Sequence, residues 1–272
     1  MNEITAKAIE QARSHNLIGR AAMVFERVSS TNDVALAQSA GGAPEGLLVL
    51  AEEQSAGRGR LGRSWYAPVG SGLLFSLLFR PCLPVRLAGQ VTMCVGLGAA
   101  EGIEAVTGLR TTLKWPNDLL LDGLKLGGML AELEVKGERL STVVVGLGLN
   151  VNLDMRAVRE PWAASATSLR MATGKLLDRR SLLLSILERT EYWYACLSQP
   201  ESERSADSVV FRAWSSRLDT LGRPVEVALP TGRLRGIAVS ATSEGALQLR
   251  TTGGELLTIW SGDVQNLRTV SG

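Results

Sequence analysis

Residues 113–151 read LKWPNDLLLDGLKLGGMLAELEVKGERLSTVVVGLGLNV, and apolar segments alternate here with polar residues and glycines. A short apolar segment at 113–115 has to end before Pro116, because the residue before a proline disfavours the helical conformation. Two longer apolar segments follow at 125–135 and 142–151, and their composition indicates a pair of strands. The stretch therefore predicts part of a β-sheet with polar residues and glycines at the ends of its strands.

The rest of the chain extends this pattern to an α+β fold. The apolar segments at 21–28, 46–52 and 73–79 predict further strands, and those at 1–20, 34–37, 86–106, 182–197 and 211–218 predict helices, with Ser181 as the cap of the fourth. After Gly222 the texture changes to short alternating segments at 225–229, 234–239, 246–249 and 256–260, separated by turns such as Pro230-Thr231-Gly232. We expect a mixed β-sheet packed by helices over residues 1–220, followed by a small β-barrel over residues 221–272.

Composition excludes several classes of protein. The 272 residues contain 29 Lys and Arg against 27 Asp and Glu, so a net charge of +2 gives no sign of general nucleic-acid binding. His15 is the single histidine, and the three cysteines form no C-x-x-C pair, which argues against a Ser-His-Asp triad, a multi-histidine zinc site and a disulfide framework. No apolar run reaches the ~20 residues of a membrane span, and the charged N-terminus lacks a signal region, so a cytoplasmic location is expected.

The segment from Gln54 to Trp65, QSAGRGRLGRSW, is rich in glycine and arginine. Glycines allow backbone amides to approach a ligand closely, and guanidinium groups bind carboxylate or phosphate. A solvated basic turn explains the composition equally well. The glycine spacing also fits G-x-G-x-x-G, but that dinucleotide-binding pattern has to open a helix, whereas this segment leads into Pro68 and a strand.

Three further motifs place polar residues or glycines beside apolar strands. In KWPND, Asp118 can bind Mg²⁺ together with nucleotide phosphates, and Asn117 can hydrogen-bond a purine edge. Lys125 precedes the glycine pair 127–128, where a ligand can lie against the backbone, and GLGLN at 146–150 has glycines inside an apolar strand. Taken alone, each motif has a structural alternative: a Pro-Asn-Asp turn, a surface lysine near a hairpin, and a sheet bulge.

Together and in this order, the motifs resemble the bacterial biotin protein ligases. The resemblance covers about residues 23–268 and includes the GRGRLGR loop from Gln54 to Trp65. Its other pieces are Ser30-Thr31-Asn32, KWPNDL, KLGGML, GLGLNVN and a C-terminal pattern typical of the family's small SH3-like barrel.

The resemblance implies a reaction in two steps. These enzymes join the biotin carboxylate to the α-phosphate of ATP, and a lysine of a biotin carboxyl carrier protein then attacks the biotinyl-5′-AMP. The substrates supply both nucleophiles, so a catalytic histidine or cysteine is not needed. The implied substrates are biotin and ATP with Mg²⁺, without a tightly bound redox cofactor. The implied partner is the carrier domain, with no nucleic acid and no membrane, for a monomer or homodimer.

The resemblance also implies a role for each matching residue. The implied catalytic residues are Arg60, Lys125 and Asp118, with Asp118 linked to Mg²⁺. The residues matching the biotin site are Ser30, Thr31, Asn32, Gln54, Gly57, Arg58, Gly59, Arg60, Lys125, Gly128 and Gly148. Those matching the nucleotide site are Arg60, Arg63, Trp65, Asn117, Lys125 and Asn150, with Trp162 as the candidate that covers the adenine.

Two alternatives remain open at the level of sequence. A lipoate or octanoate ligase shares the catalytic fold, although KWPND, Gln54 and the polar 30–32 cluster favour biotin. A biotin-responsive DNA-binding regulator belongs to a different class, and the near-neutral charge argues against it. Only about 20 residues precede the first predicted strand, too few for a helix-turn-helix domain, so we expect the form with ligase activity alone.

Overall fold

The computed structural model describes residues 3–198, 208–230 and 232–266. Thr231, in the predicted 230–232 turn, lies outside the described residues, as do residues 267–272 of the predicted barrel. None of the described helices combines the length and apolar character needed to cross a lipid bilayer.

A mixed sheet of seven strands forms the larger part of the molecule; the sequence predicted a mixed sheet with six of these strands. The strands are β1 (Ala22–Val28), β2 (Leu48–Gln54), β3 (Gly72–Phe79), β4 (Thr112–Lys114), β5 (Asp118–Leu121), β6 (Leu124–Lys136) and β7 (Arg139–Asn150). Their spatial order is β1-β2-β3-β7-β6-β5-β4; β1 and β2 are parallel, and the other neighbours are antiparallel.

Helices pack against this sheet, and α3 and α5 pack closely against each other. Two glycines of α3 permit the approach: a Cβ at Gly98 would lie 2.1 Å from Thr190 Oγ1, and one at Gly102 would lie 2.7 Å from the Ile186 Cα. The helices are α1 (Ala6–Ala12), α2 (Thr31–Ala40), α3 (Ala88–Thr107), α4 (Leu169–Thr173), α5 (Arg179–Leu197) and α6 (Val209–Ser216).

Two predicted helix boundaries are wrong. The N-terminal helix does not extend over residues 1–20 but ends at Ala12, because Arg13 leaves the helical conformation and its side chain donates to the Ile18 carbonyl. Asp178, not Ser181, caps α5: its carboxylate accepts from the Arg180 amide at 3.1 Å, and the Ser181 hydroxyl donates to the same carboxylate. A capping oxygen is needed two or three residues before its amide, and Asp178 satisfies that spacing.

The C-terminal part is a five-stranded antiparallel sheet of the SH3-like type, in the order β11-β10-β9-β8-β12. One apolar cluster includes buried side chains of both sheets, so the division of the chain at residue 220 remains a prediction. Its strands are β8 (Pro224–Leu229), β9 (Gly232–Ala241), β10 (Leu247–Thr251), β11 (Leu256–Ile259) and β12 (Asp263–Asn266).

Candidate active site

A cavity of about 470 Å³ lies over the sheet, between the 54–66 loop, the strands β5 to β7 and β12. Every residue that the resemblance assigns to the site lines it except Gly57. The predicted residues that line it are Ser30, Thr31, Asn32, Gln54, Arg58, Gly59, Arg60, Arg63, Trp65, Asn117, Asp118, Lys125, Gly128, Gly148, Asn150 and Trp162.

Gly57 lies behind the cavity wall and closes the base of the glycine-arginine loop. Its carbonyl accepts from the Trp65 amide at 2.9 Å, and a Cβ at this position would lie 3.2 Å from the Trp65 carbonyl oxygen. The segment contains a single 3-10 turn and no α-helix, as expected for a loop that only imitates the dinucleotide-binding pattern.

Lys125 and Asp118 form an ion pair of 2.7 Å in the middle of the cavity. Asp118 begins β5 and pairs with Gly128 of β6. A register shift between Leu119 and Leu120 places Lys125 opposite Leu120, and its ammonium reaches the Asp118 carboxylate from there. Gly128 keeps the space beside them open, since a Cβ there would lie 3.2 Å from Asp118 Oδ1 and 3.4 Å from Lys125 Nζ. A cation and a carboxylate thus lie in contact on this strand pair.

Arg60 adds a second cation from the loop side. It begins the 3-10 turn Arg60–Gly62, and no hydrogen bond or ion pair joins its guanidinium to another described residue. Burial lowers the pKa of Arg60, while the carboxylates of Asp118 and Asp263 oppose that shift. A half-buried guanidinium without a partner is suited to bind an anionic ligand.

A network of polar side chains, of which Thr31, Asn32 and Ser76 are buried, forms another wall. The Thr31 amide and hydroxyl donate to Gln54 Oε1 at 2.7 and 3.1 Å, and Asn32 Nδ2 donates to Glu132 Oε2 at 2.7 Å. Ser76 Oγ lies 2.6 Å from Asn32 Oδ1 and 2.7 Å from Thr31 Oγ1. Ser76 and Glu132 were not among the predicted site residues. The single serine in the apolar strand GLLFSLLF does indicate a buried polar position that needs hydrogen-bond partners.

Ion pairs of Arg58 and Arg63 hold the glycine-arginine loop. Arg58 donates to both oxygens of Asp33 at 2.9 and 2.5 Å, which raises the pKa of Arg58 and lowers that of Asp33, and its guanidinium also lies 3.4 Å from Glu132 Oε1. Arg63 donates to Asp263 of β12 at 2.5 Å. Both arginines line the cavity, and their carboxylate partners were not predicted from the sequence; ligand binding by either arginine remains a prediction.

Aromatic and amide side chains surround the remaining part of the cavity. Asn117 Nδ2 donates to the Met129 carbonyl, and Asn150 Nδ2 donates to the Thr167 carbonyl at 3.1 Å. Trp162 lies 6.1 Å from Tyr66, centroid to centroid, with the rings tilted by 54°. This part combines flat apolar surfaces with amide groups, as recognition of a heterocycle requires.

The described residues contain no group of three or more His, Cys, Asp or Glu side chains that could hold a metal ion by themselves. Asp118 offers one carboxylate, already paired with Lys125. Mg²⁺ prefers six oxygen ligands and commonly keeps waters and substrate phosphates among them. The residues present therefore fit an ion that arrives with a nucleotide, not one resident in a protein cage.

Comparison with known proteins agrees with this fold. The family model for the biotin/lipoate A/B protein ligase family matches residues 24–150, and that for the biotin protein ligase C-terminal domain matches residues 220–265. The structure of the biotin protein ligase from Aquifex aeolicus in complex with biotin and ATP superposes with a TM-score of 0.72 at 29% identity, covering 91% of this chain and 99% of that one.

Curated relatives extend the similarity over most of the chain. The biotin–[acetyl-CoA-carboxylase] ligase of Mycobacterium tuberculosis is 35% identical over 90% of this chain and 88% of its own length. The bifunctional ligase/repressor BirA of Bacillus spizizenii is 32% identical over 92% of this chain and 75% of its own length.

The mixed sheet, its cavity and the first family model define the class of biotin and lipoate ligases. With its C-terminal domain and these relatives, the chain belongs to the biotin protein ligase family.

Proposed function

We propose that this chain activates biotin with ATP to form biotinyl-5′-AMP and transfers the biotin to a lysine of a biotin carboxyl carrier protein domain. The observation that carries the proposal is that one cavity is lined by the polar network, by Lys125, Asp118 and Arg60, and by amide and aromatic groups. These three sets of groups suit a polar head group, a reacting carboxylate and phosphate, and a purine. The relatives are named for this ligation reaction.

In the first step, a carboxylate oxygen of biotin attacks the α-phosphorus of ATP. A bond forms between the carboxylate oxygen and the α-phosphorus. The bond between the α-phosphorus and the oxygen that joins it to the β-phosphate breaks, and pyrophosphate leaves with the electron pair. Both reactants are anions, so Lys125 and Arg60 lower the barrier by neutralising charge between them. Asp118 holds Lys125 in place, and its carboxylate would supply an oxygen ligand for a Mg²⁺ ion bound with ATP.

In the second step, the uncharged amine of the carrier lysine attacks the carbonyl carbon of the mixed anhydride. The amide bond forms, the bond between that carbon and the phosphate oxygen breaks, and AMP leaves as the anion, while the amine loses its proton to solvent. Water would attack the same carbon. The loop that carries Arg58, Arg60 and Arg63 covers the site and limits such hydrolysis.

The polar network gives the specificity for biotin over lipoate. Ser76 links Thr31 to Asn32, and these two residues also bond to Gln54 and Glu132, respectively. Thr31, Asn32 and Gln54 thus present donors and acceptors suited to a ureido ring. The dithiolane ring of lipoate has no comparable hydrogen-bonding groups. Placing it there would leave buried polar groups without partners, and such groups reject a ligand strongly.

A labelling experiment tests the proposed function. The protein is incubated with ATP, Mg²⁺, a carrier domain and either biotin or lipoate, and the intact mass of the carrier is measured. ATP-dependent addition of one biotin is expected, and a carrier with arginine in place of its acceptor lysine is the control. Equal labelling by lipoate, or no labelling by biotin, would overturn the proposal. The cytoplasmic location and the state as monomer or homodimer remain predictions.

A further inference from the structure

A second cavity of about 290 Å³ lies behind the first one. Five residues line both cavities, so the two cavities adjoin there: Arg60, Pro116, Asn117, Met129 and Leu130. The remaining lining of the second cavity comes from Ala131 of β6, the start of α3, α6 and the C-terminal part of the chain. It includes Trp214, Glu244 and Trp260.

We propose that the second cavity receives the acceptor lysine of the carrier protein, with Trp260 and Glu244 as the residues that recognise it. This inference rests on the proposed function, because it assigns the entry route for the second substrate of the same reaction. Neither Trp260 nor Glu244 belongs to the motifs that carry the family resemblance.

The chemistry of the lining fits a lysine side chain. An aliphatic stem that ends in an ammonium group is favoured by aromatic faces and by a carboxylate. Trp260 and Trp214 supply the aromatic surface, and Glu244 is the single acidic residue among the described residues that line this cavity.

The location fits as well. Biotinyl-AMP would extend from the polar network past Lys125 to the aromatic end and would fill the first cavity. The acceptor amine therefore needs a separate approach to the reacting carbonyl. Arg60 is one of the residues that line both cavities, and it interacts electrostatically with Asp118 of the first cavity. An amine that enters the second cavity would approach the reaction centre where the two cavities adjoin.

The C-terminal sheet holds Glu244 in a fixed position against the catalytic sheet. Gln90 Nε2 donates to the Ser243 carbonyl at 3.0 Å, and Trp115 Nε1 donates to the Gly245 carbonyl at 2.8 Å. A Cβ at Gly89 would lie 2.9 Å from the Glu244 carbonyl oxygen, so the two backbones touch here. Trp115 belongs to the KWPND motif, which ties this loop directly to Asn117 and Asp118.

Trp260 is 65% exposed, while its neighbour Ile259 is 7% exposed. A large exposed aromatic side chain at the mouth of a cavity is typical of residues that dominate protein–protein binding. Its role is testable separately from adenylation, because biotin-dependent ATP–pyrophosphate exchange does not involve the carrier.

The test compares Trp260→Ala and Glu244→Gln with the wild-type protein in both half-reactions. Exchange is expected to stay within about twofold of wild type, whereas KM for the carrier domain rises by about ten- to thirtyfold in transfer from chemically made biotinyl-AMP. Hydroxylamine, a small nucleophile that needs no docking, should cleave the bound intermediate at the wild-type rate. Trp260→Phe should restore most of the transfer, and Tyr192→Ala provides an exposed aromatic control on α5, outside both cavities.

An unchanged KM for the carrier in Trp260→Ala would overturn the inference. Parallel loss of exchange and transfer would also overturn it, because the residue would then support adenylation or the fold. Failure of exchange in the wild-type protein would contradict the proposed function itself, so the two failures are distinguishable.

Discussion

The indole of Trp65 lies directly against the backbone of Gly148, so closely that a Cβ at Gly148 would lie 2.5 Å from Trp65 Cε2. The same ring has its centroid 5.8 Å from Lys125 Nζ, and its Nε1 is buried without a partner among the described residues. A glycine in β7, a tryptophan at the end of the loop and the central lysine are thus packed as one unit. Loop position and lysine position depend on each other through this contact.

Gly148→Ala should therefore impair the site without unfolding the protein. Overpacking typically costs about 1–3 kcal/mol, and Trp65 can move with its loop to relieve the contact. If the movement of Trp65 disturbs the closed form of the loop, the affinity for biotin should fall by about five- to a hundredfold. Isothermal titration with biotin measures the change. Gly253→Ala is the matched control, because its Cβ would meet only Thr251 Oγ1 at 3.8 Å; equal affinities of the two variants would show that the contact is unimportant.

Arg60→Gly should release the activated intermediate. The guanidinium is half-buried and has no hydrogen-bond or ion-pair partner among the described residues; removing it takes away a cation for the phosphate and adds a glycine to a loop that already has three. Escaped biotinyl-AMP would label lysines of bystander proteins. The measurement is biotinylation of added serum albumin, with Lys125→Ala as a control that should form little intermediate. Albumin labelling no greater than with wild type would contradict a retaining role for Arg60.

Asp263→Asn should weaken closure of the loop only slightly. The ion pair with Arg63 joins the loop to β12, but the Arg63 side chain is 63% exposed, and surface pairs contribute about 0–1 kcal/mol. We expect KM for ATP to rise by no more than about fivefold, and less at high salt. A double-mutant cycle with Arg63→Ala measures the coupling. Fully additive effects would mean that the two residues do not interact in the closed site.

The ion pair between Arg58 and Asp33 should make the free energy of unfolding depend on pH in acid. The hydrogen bonds from Arg58 lower the pKa of Asp33, so the folded state keeps this carboxylate charged at pH values where the unfolded chain binds a proton. Its stabilising effect is complete above the ordinary aspartate pKa of about 3.9 and is lost as the pH falls through the lowered value. Urea unfolding of wild type and Asp33→Asn should differ by a constant amount above pH ~5 and converge in acid. A difference that grows toward acid would have the wrong sign.

The strands and the cavity residues were predictable from sequence because their signals are local. Glycine spacing, apolar runs and the KWPND and KLGG motifs lie within single segments, and nearly all the residues they identify line one cavity. The short strand β5 was missed because Asp118–Leu121 follows a Pro-Asn-Asp sequence that also forms turns.

The partners of the loop arginines were not predictable in this way. Arg63 and Asp263 are 200 residues apart in the chain, and Arg58 and Asp33 are 25 apart. No local pattern joins them, since only the folded sheets bring the loop next to α2 and β12. The buried Ser76 shows the same limit: its strand was evident, but its partners in α2 depend on the packing of that helix.

We expect Lys125, oriented by Asp118, to act mainly in the formation of biotinyl-AMP, where it neutralises charge between the two anions. Removing one preorganised charged group of this kind typically costs about 10²–10³ in rate, and arginine is a poor replacement because its planar fork differs from a compact ammonium. The decisive measurement is the effect of Lys125→Ala on biotin-dependent ATP–pyrophosphate exchange, set beside transfer to the carrier from chemically made biotinyl-AMP. Exchange should slow by about 10²–10³ while transfer from the supplied intermediate is affected much less. Equal loss in both half-reactions would contradict the assignment and place the role of Lys125 in acceptor attack or in binding the intermediate.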